Sequence, residues 1–262
     1  MPEGHTLHRL ARSQRRQFVG LPIAVSSPQG RFDATLVDGR VLDTVTAHGK
    51  HLFEAFGDRI VHVHLGLFGK YSSGTGDPPE PLGAVRMRWV AESGWGDLRG
   101  PTACEVLSPS EVDAIIARLG PDPLRAGSDG GRAFDRIRRS RAPLAGLLMD
   151  QRVVAGVGNV YRSEVLFRHR LDPYLPGRAL DATAWEGIWS DVVTLMRAGL
   201  RSGRIITTDP TDRSRRTGPV RGEDAHYVYR RTGLPCRIDG TPITMQVLAA
   251  RKLYWCPTCQ AA

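Results

Sequence analysis

The feature that most constrains this fold is a change of hydrophobic period near residue 105. Upstream of it, VHVHL at 61–65 alternates apolar and polar side chains, and Gly-rich or Gly-Asp breaks recur about every ten residues from 21 to 105. Period two with regular turn signals belongs to antiparallel strands, so this stretch predicts a β sandwich or barrel. Downstream, Ser108-Pro109-Ser110-Glu111 reads as an N-cap, an N1 proline and an N3 acid ahead of the stripe Val112, Ile115, Ile116 and Leu119. Gly120 and Pro121 stop that helix. Further helices are expected over 144–150, 161–169 and 183–200, the last burying Trp185, Ile188, Val192, Leu195 and Met196. Near the start, Thr6 is expected to cap a helix carrying Leu7, Leu10 and Ala11. The chain therefore reads as α+β in two domains, 1–126 and 133–262, joined by the linker RAGSDGGRA at 125–133.

Composition narrows the class. With 41% hydrophobic and 24% charged residues the chain is a folded protein, and no apolar run approaches the roughly 18 residues needed to cross a bilayer. The first residues lack the apolar core of a signal peptide, and four cysteines are too few for a disulfide scaffold, so a cytoplasmic protein is expected. Thirty-six Lys and Arg against 27 Asp and Glu leave +9. That surplus favours a polyanionic partner, nucleic acid before membrane, since no basic amphipathic helix stands out.

The tail CRIDGTPITMQVLAARKLYWCPTC pairs Cys256 and Cys259 in a CxxC, with Cys236 twenty residues upstream. Two knuckles flanking a β hairpin are a structural zinc pattern, and one zinc ion per chain is expected on three thiolates. The fourth position is open. Asp239 could ligate, His226 could come in from upstream, or Ile238-Asp239-Gly240 could be a turn in a hairpin without metal. Lone Cys104 reads as a core residue, and His62 and His64 share one strand face without an evident third ligand.

MPEG at the start, GKHLF at Lys50, LMDQRVVAGVGNVY around Asn159 and RKLYWCPTCQ at the end, in this order and spacing, resemble the formamidopyrimidine-DNA glycosylase and endonuclease VIII family. The resemblance runs the length of the chain. It implies an N-terminal β sandwich followed by a helix–two-turn–helix domain ending in a zinc-finger hairpin at about 227–262. It also implies a bifunctional DNA glycosylase and abasic-site lyase of base-excision repair, acting as a monomer on damaged double- or single-stranded DNA and nucleoid-associated when bound.

Under that resemblance Pro2, once Met1 is removed, is the nucleophile at C1′ of the damaged nucleotide. An α-amino group titrates at roughly 7.7–8.0, below lysine, so more of it is unprotonated at neutral pH. Its iminium acidifies the C2′ hydrogen, which allows β- and then δ-elimination. Glu3 is the proton donor, and Lys50 contacts phosphate and donates a proton for elimination. Asn159 and Arg251 grip the DNA backbone, Leu67 and Phe68 fill the hole left by the everted base, and Arg99 is a further candidate for that role. Departures from the purine-acting branch bear on substrate: Thr6 replaces an acid, and the lysine before LLMD is absent. YWCPTCQ also matches the endonuclease VIII branch, so oxidised pyrimidines are the expected substrate. A non-catalytic damaged-DNA-binding protein and a lyase acting mainly on abasic or single-stranded DNA stay open.

Overall fold

The computed structural model describes residues 2–261, in which one compact unit ends at Arg118 and a second begins at Leu119. Met1, expected to be removed, lies outside the described residues. The first unit opens with helix α1 (Gly4–Phe18). Strands β1 (Ala24–Ser26), β2 (Thr44–His48), β3 (His51–Phe56) and β4 (Arg59–His64) come next, then β5 (Lys70–Gly74), β6 (Val85–Ala91), β7 (Gly94–Arg99) and β8 (Ala103–Leu107). They form two four-stranded antiparallel sheets, ordered β1-β6-β7-β5 and β2-β3-β4-β8. One core joins them: Leu7 and Phe18 of α1, Val45, Leu52 and Val61 of one sheet, and Val25, Trp89 and Leu98 of the other. This layered arrangement is a sandwich, one of the two forms that the period-two pattern allows.

Helix α1 begins earlier than expected. Glu3 is its N-cap in extended conformation, and Thr6 lies inside the first turn, its amide donating to the Glu3 carbonyl at 2.8 Å. Helix α2 (Pro109–Ala117) carries the expected capping box, with Ser108 and Glu111 bonded reciprocally.

A buried carboxyl pins α1 to the sheet. Glu54 of β3 is 1% exposed and accepts a bond from Gln14 Nε2 at 2.9 Å. Burial pushes its pKa up to about 8 against the smaller opposing effect of Gln14. Cys104 lies in the same core, its thiol also raised by burial.

Residues 120–121 belong to the second unit: the Gly120 amide donates to Gln151 O at 2.9 Å, and the Ala155 amide to Pro121 O at 3.0 Å. The division therefore falls before 125–133. Helix α3 (Gly130–Ile137) starts inside that glycine-rich run because Asp129 accepts from the Gly131 amide at 2.8 Å. Helices α4 (Leu144–Leu147), α5 (Asn159–Arg168) and α6 (Ala182–Ser202) come after it, then the hairpin β9 (Thr244–Leu248) and β10 (Arg251–Trp255). Helix α6 buries the five residues read from its stripe, is capped by Asp181 and ends at Gly203 with φ 74°. Helix α5 is buried from Asn159 through Phe167, so α6 and β10 pack around it. Among the described residues no helix is long and apolar enough to cross a membrane.

Glu54 makes a pH prediction. Between an ordinary 4.5 and about 8 the folded state keeps a proton that the unfolded chain has released, so stability falls as pH rises through that window. Denaturant unfolding of wild type should weaken from pH 5 to 8 by on the order of 3–4 kcal/mol more than Glu54→Gln. Equal slopes would mean that Glu54 ionises in its ordinary range.

Candidate active site and metal centre

In the first unit, Pro2 is half-buried directly ahead of the N-cap, and Glu3 is completely buried. His5, in the first turn behind it, is held at about 4 by burial and by neighbouring positive groups, Arg9 and His8 among them, so it stays neutral. Lys50 lies in the two-residue turn between β2 and β3, closed by the pair His48 and His51. Gly49 supplies the positive φ, 57°, that such a turn needs.

Leu67 and Phe68 occupy the turn between β4 and β5, 43% and 82% exposed. The backbone is tightly packed at the two glycines of this turn. A Cβ on Gly69 would lie 2.2 Å from the Leu65 carbonyl oxygen, and one on Gly66 would lie 1.8 Å from Thr102 Oγ1. Two large apolar side chains are presented outward between two positions that have no room for a Cβ. Arg99 is different. It ends β7, and its guanidinium donates to Ser72 Oγ at 2.7 Å, Asp97 Oδ2 at 2.8 Å and Leu82 O at 2.8 Å. All three bonds tie the guanidinium to its neighbours in the first unit.

The strand face bearing His62 and His64 is more crowded than alternation implied. His62 is buried, and it bonds His51 rather than pairing with His64. His64 Nδ1 accepts from the Gly66 amide at 3.1 Å, which anchors the start of the Leu67 turn.

In the second unit, Asn159 is the first residue of α5 and is 4% exposed. Its Nδ2 donates to Lys252 O at 2.8 Å while its Oδ1 accepts from Arg162, so the side chain is locked to the strand that carries Arg251. Gln151 shapes the preceding loop, bonding Met149 O, Val157 O and the Gly156 amide. Arg251 is exposed behind the turn Ala249-Ala250, whose φ angles of 51° and 57° lie in the left-handed region that alanine disfavours.

Cys236, Asp239, Cys256 and Cys259 converge, their ligand atoms all within 4.8 Å of one another. Tetrahedral bonds of about 2.3 Å to sulfur and about 2.1 Å to oxygen would put sulfurs about 3.8 Å apart and sulfur and oxygen about 3.6 Å apart. The sulfurs of Cys236 and Cys259 are 3.9 Å apart, and Asp239 oxygens lie 3.5 Å from Cys256 Sγ and 3.3 Å from Cys259 Sγ. The donor set therefore fits one tetrahedral metal ion. Asp239 also makes the turn, accepting from the Thr241 amide at 3.0 Å. His226 packs edge-on against Tyr229, centroids 5.4 Å apart, outside the donor cluster.

Two buried groups escaped sequence reasoning. Arg162 is fully buried, and Glu164 accepts from the amides of Tyr227, Val228 and Tyr229 at 2.8–2.9 Å and from Thr207 Oγ1. The available signal was two charges inside a helix otherwise too apolar to face solvent. Glu164 also closes the segment 207–225, together with the Thr207 amide bond to Ala225 O at 2.9 Å. Arg215 and Arg216 are exposed on that segment.

Comparison with known proteins agrees with this architecture. Residues 1–100 match the formamidopyrimidine-DNA glycosylase N-terminal domain and 119–211 the formamidopyrimidine-DNA glycosylase H2TH domain. A Mycobacterium tuberculosis protein named Endonuclease 8 1 is 50% identical over 267 residues, 99% of this chain and 100% of its own. The crystal structure of MutM (Fpg) from Thermus thermophilus superposes with a TM-score of 0.80 at 29% identity, covering 99% of this chain and 98% of its own. A structure of MutM in complex with DNA containing carbocyclic 8-oxo-G superposes at 0.83 over 100% of both chains, a likeness of fold at 22% identity. The chain belongs to the formamidopyrimidine-DNA glycosylase and endonuclease VIII family.

The metal centre is testable by composition. Purified protein should carry about one zinc per chain, Asp239→Ala should lose most of it, and Asp239→Cys should retain it. Stoichiometric zinc in Asp239→Ala would remove Asp239 from the ligand set.

Proposed function

We propose that this chain is a bifunctional DNA glycosylase and abasic-site lyase of base-excision repair, with Pro2 as its nucleophile after loss of Met1. The observation that carries the reading is the placement of Pro2 at the foot of a packed helix, followed at once by a completely buried carboxyl, Glu3. The Pro2 nitrogen attacks C1′, the bond to the damaged base breaks, and Glu3 supplies protons as the sugar ring opens. The resulting iminium carries its charge without a proton and draws electrons from C2′, so the 3′ phosphate leaves by β-elimination and the 5′ phosphate by δ-elimination. Lys50, on its glycine turn, contacts phosphate and donates a proton in those steps.

Asn159 and Arg251 bind the DNA backbone, and Leu67 and Phe68 enter the stack vacated by the everted base. Support for the wedge is the exposure of both side chains on a turn closely packed at both flanking glycines. Cys236, Asp239, Cys256 and Cys259 hold one structural zinc ion, which when bound fixes the hairpin bearing Arg251. Oxidised pyrimidines are the proposed substrates, on the strength of the endonuclease VIII-like motifs and the 50% identity to a protein named Endonuclease 8 1.

Borohydride should trap wild type covalently on abasic DNA, and Pro2→Gly and Glu3→Gln should each lower excision of 5-hydroxyuracil about a hundredfold or more. If both variants cross-link and excise like wild type, the assignment of the site fails. Faster release of 8-oxoguanine than of 5-hydroxyuracil or thymine glycol by wild type would overturn the substrate class alone.

A further inference from the structure

A hydrogen-bonded chain of side chains crosses three strands of the first unit and ends beside the Lys50 turn. Glu105 of β8 pairs with His62 of β4 in the sheet, and its Oε1 lies 2.9 Å from His62 Nδ1. His62 Nε2 in turn lies 2.9 Å from His51 Nδ1, with the two rings stacked 5.1 Å apart. His51 follows Lys50 directly and closes its turn opposite His48.

The chemistry gives this chain a direction. An ionised carboxylate only accepts, so the proton on His62 faces Glu105 at Nδ1. With a single proton on His62, Nε2 holds a lone pair, and His51 must then carry its own proton at Nδ1. His51 is neutral at pH 7: burial first, then His64, His62, His48 and Arg118, push its pKa down to about 3. We propose that Glu105 and His62 are positioning residues, which fix the tautomer and ring orientation of His51 and thereby hold the turn that presents Lys50. The inference rests on the reading of Lys50 as a group that acts in the elimination steps. It assigns a purpose to a polar cluster that a sandwich of this size does not need for its core, since apolar residues at His51 and His62 would pack without hydrogen-bond partners to satisfy.

Imidazole ¹⁵N–¹H correlation spectra of the intact protein should show the His51 proton on Nδ1 in wild type and on Nε2, or on both nitrogens, in Glu105→Met. Single-turnover nicking of abasic DNA by Glu105→Met should fall about tenfold at unchanged DNA affinity and thermal midpoint, as expected when a reacting group is slightly misplaced. Glu105→Gln, which restores an acceptor, should recover part of the rate. A wild-type His51 proton on Nε2 would overturn the relay. So would wild-type nicking by Glu105→Met alongside impaired Lys50→Ala. Wild-type nicking by Lys50→Ala would instead overturn the reading of Lys50, and the catalytic purpose of the relay with it.

Discussion

Helix α1 is packed onto the sandwich from its first turn, and the chemistry proposed for the first unit depends on that contact. The first residues of a domain are ordinarily its loosest part. Here Glu3 is buried as the N-cap, Leu7, Ala11 and Phe18 enter the core, and Gln14 is bonded to a carboxyl beneath it. A proline one residue ahead of that cap inherits its position. Burying Glu54 without full solvation is unfavourable in itself, but it fixes the helix axis, and through it the place of Pro2.

Each side chain proposed to act on DNA from a loop stands on a short turn. Lys50 follows Gly49 in a two-residue turn, Leu67 and Phe68 stand between Gly66 and Gly69, and Arg251 follows Ala249-Ala250. In the second unit the donor cluster closes the hairpin at the end away from Arg251, while Asn159 ties the other strand end to α5. A metal ion bound there would act on Arg251 through the hairpin β9 and β10.

Much of this was legible in the sequence because the signals are local. The Ser108 capping box, the stripe of α6 and the strand-forming pattern of 21–105 each depend on neighbours a few residues apart. What was not legible depends on partners far away in sequence. His62 read as sharing a strand face with His64 without an evident third ligand, and its actual partners, His51 and Glu105, come from other strands. Thr6 looked like a cap only because the burial of Glu3 cannot be seen without the sheet beneath it. Asp239 offered a choice between turn and ligand that the fold does not make, since one carboxylate serves the turn and faces three sulfurs. Arg99, a candidate only by resemblance, ends β7 with its donors engaged by Ser72, Asp97 and Leu82, partners the sequence does not reveal.

The central claim is that the reacting nitrogen is the imino group of Pro2. The direct measurement is mass spectrometry of the peptide carrying the sugar remnant after borohydride reduction of active enzyme on abasic DNA. The expected result is an adduct on a peptide that begins at Pro2. An adduct on Lys50 or any other lysine, or full activity in protein that retains Met1, would contradict it.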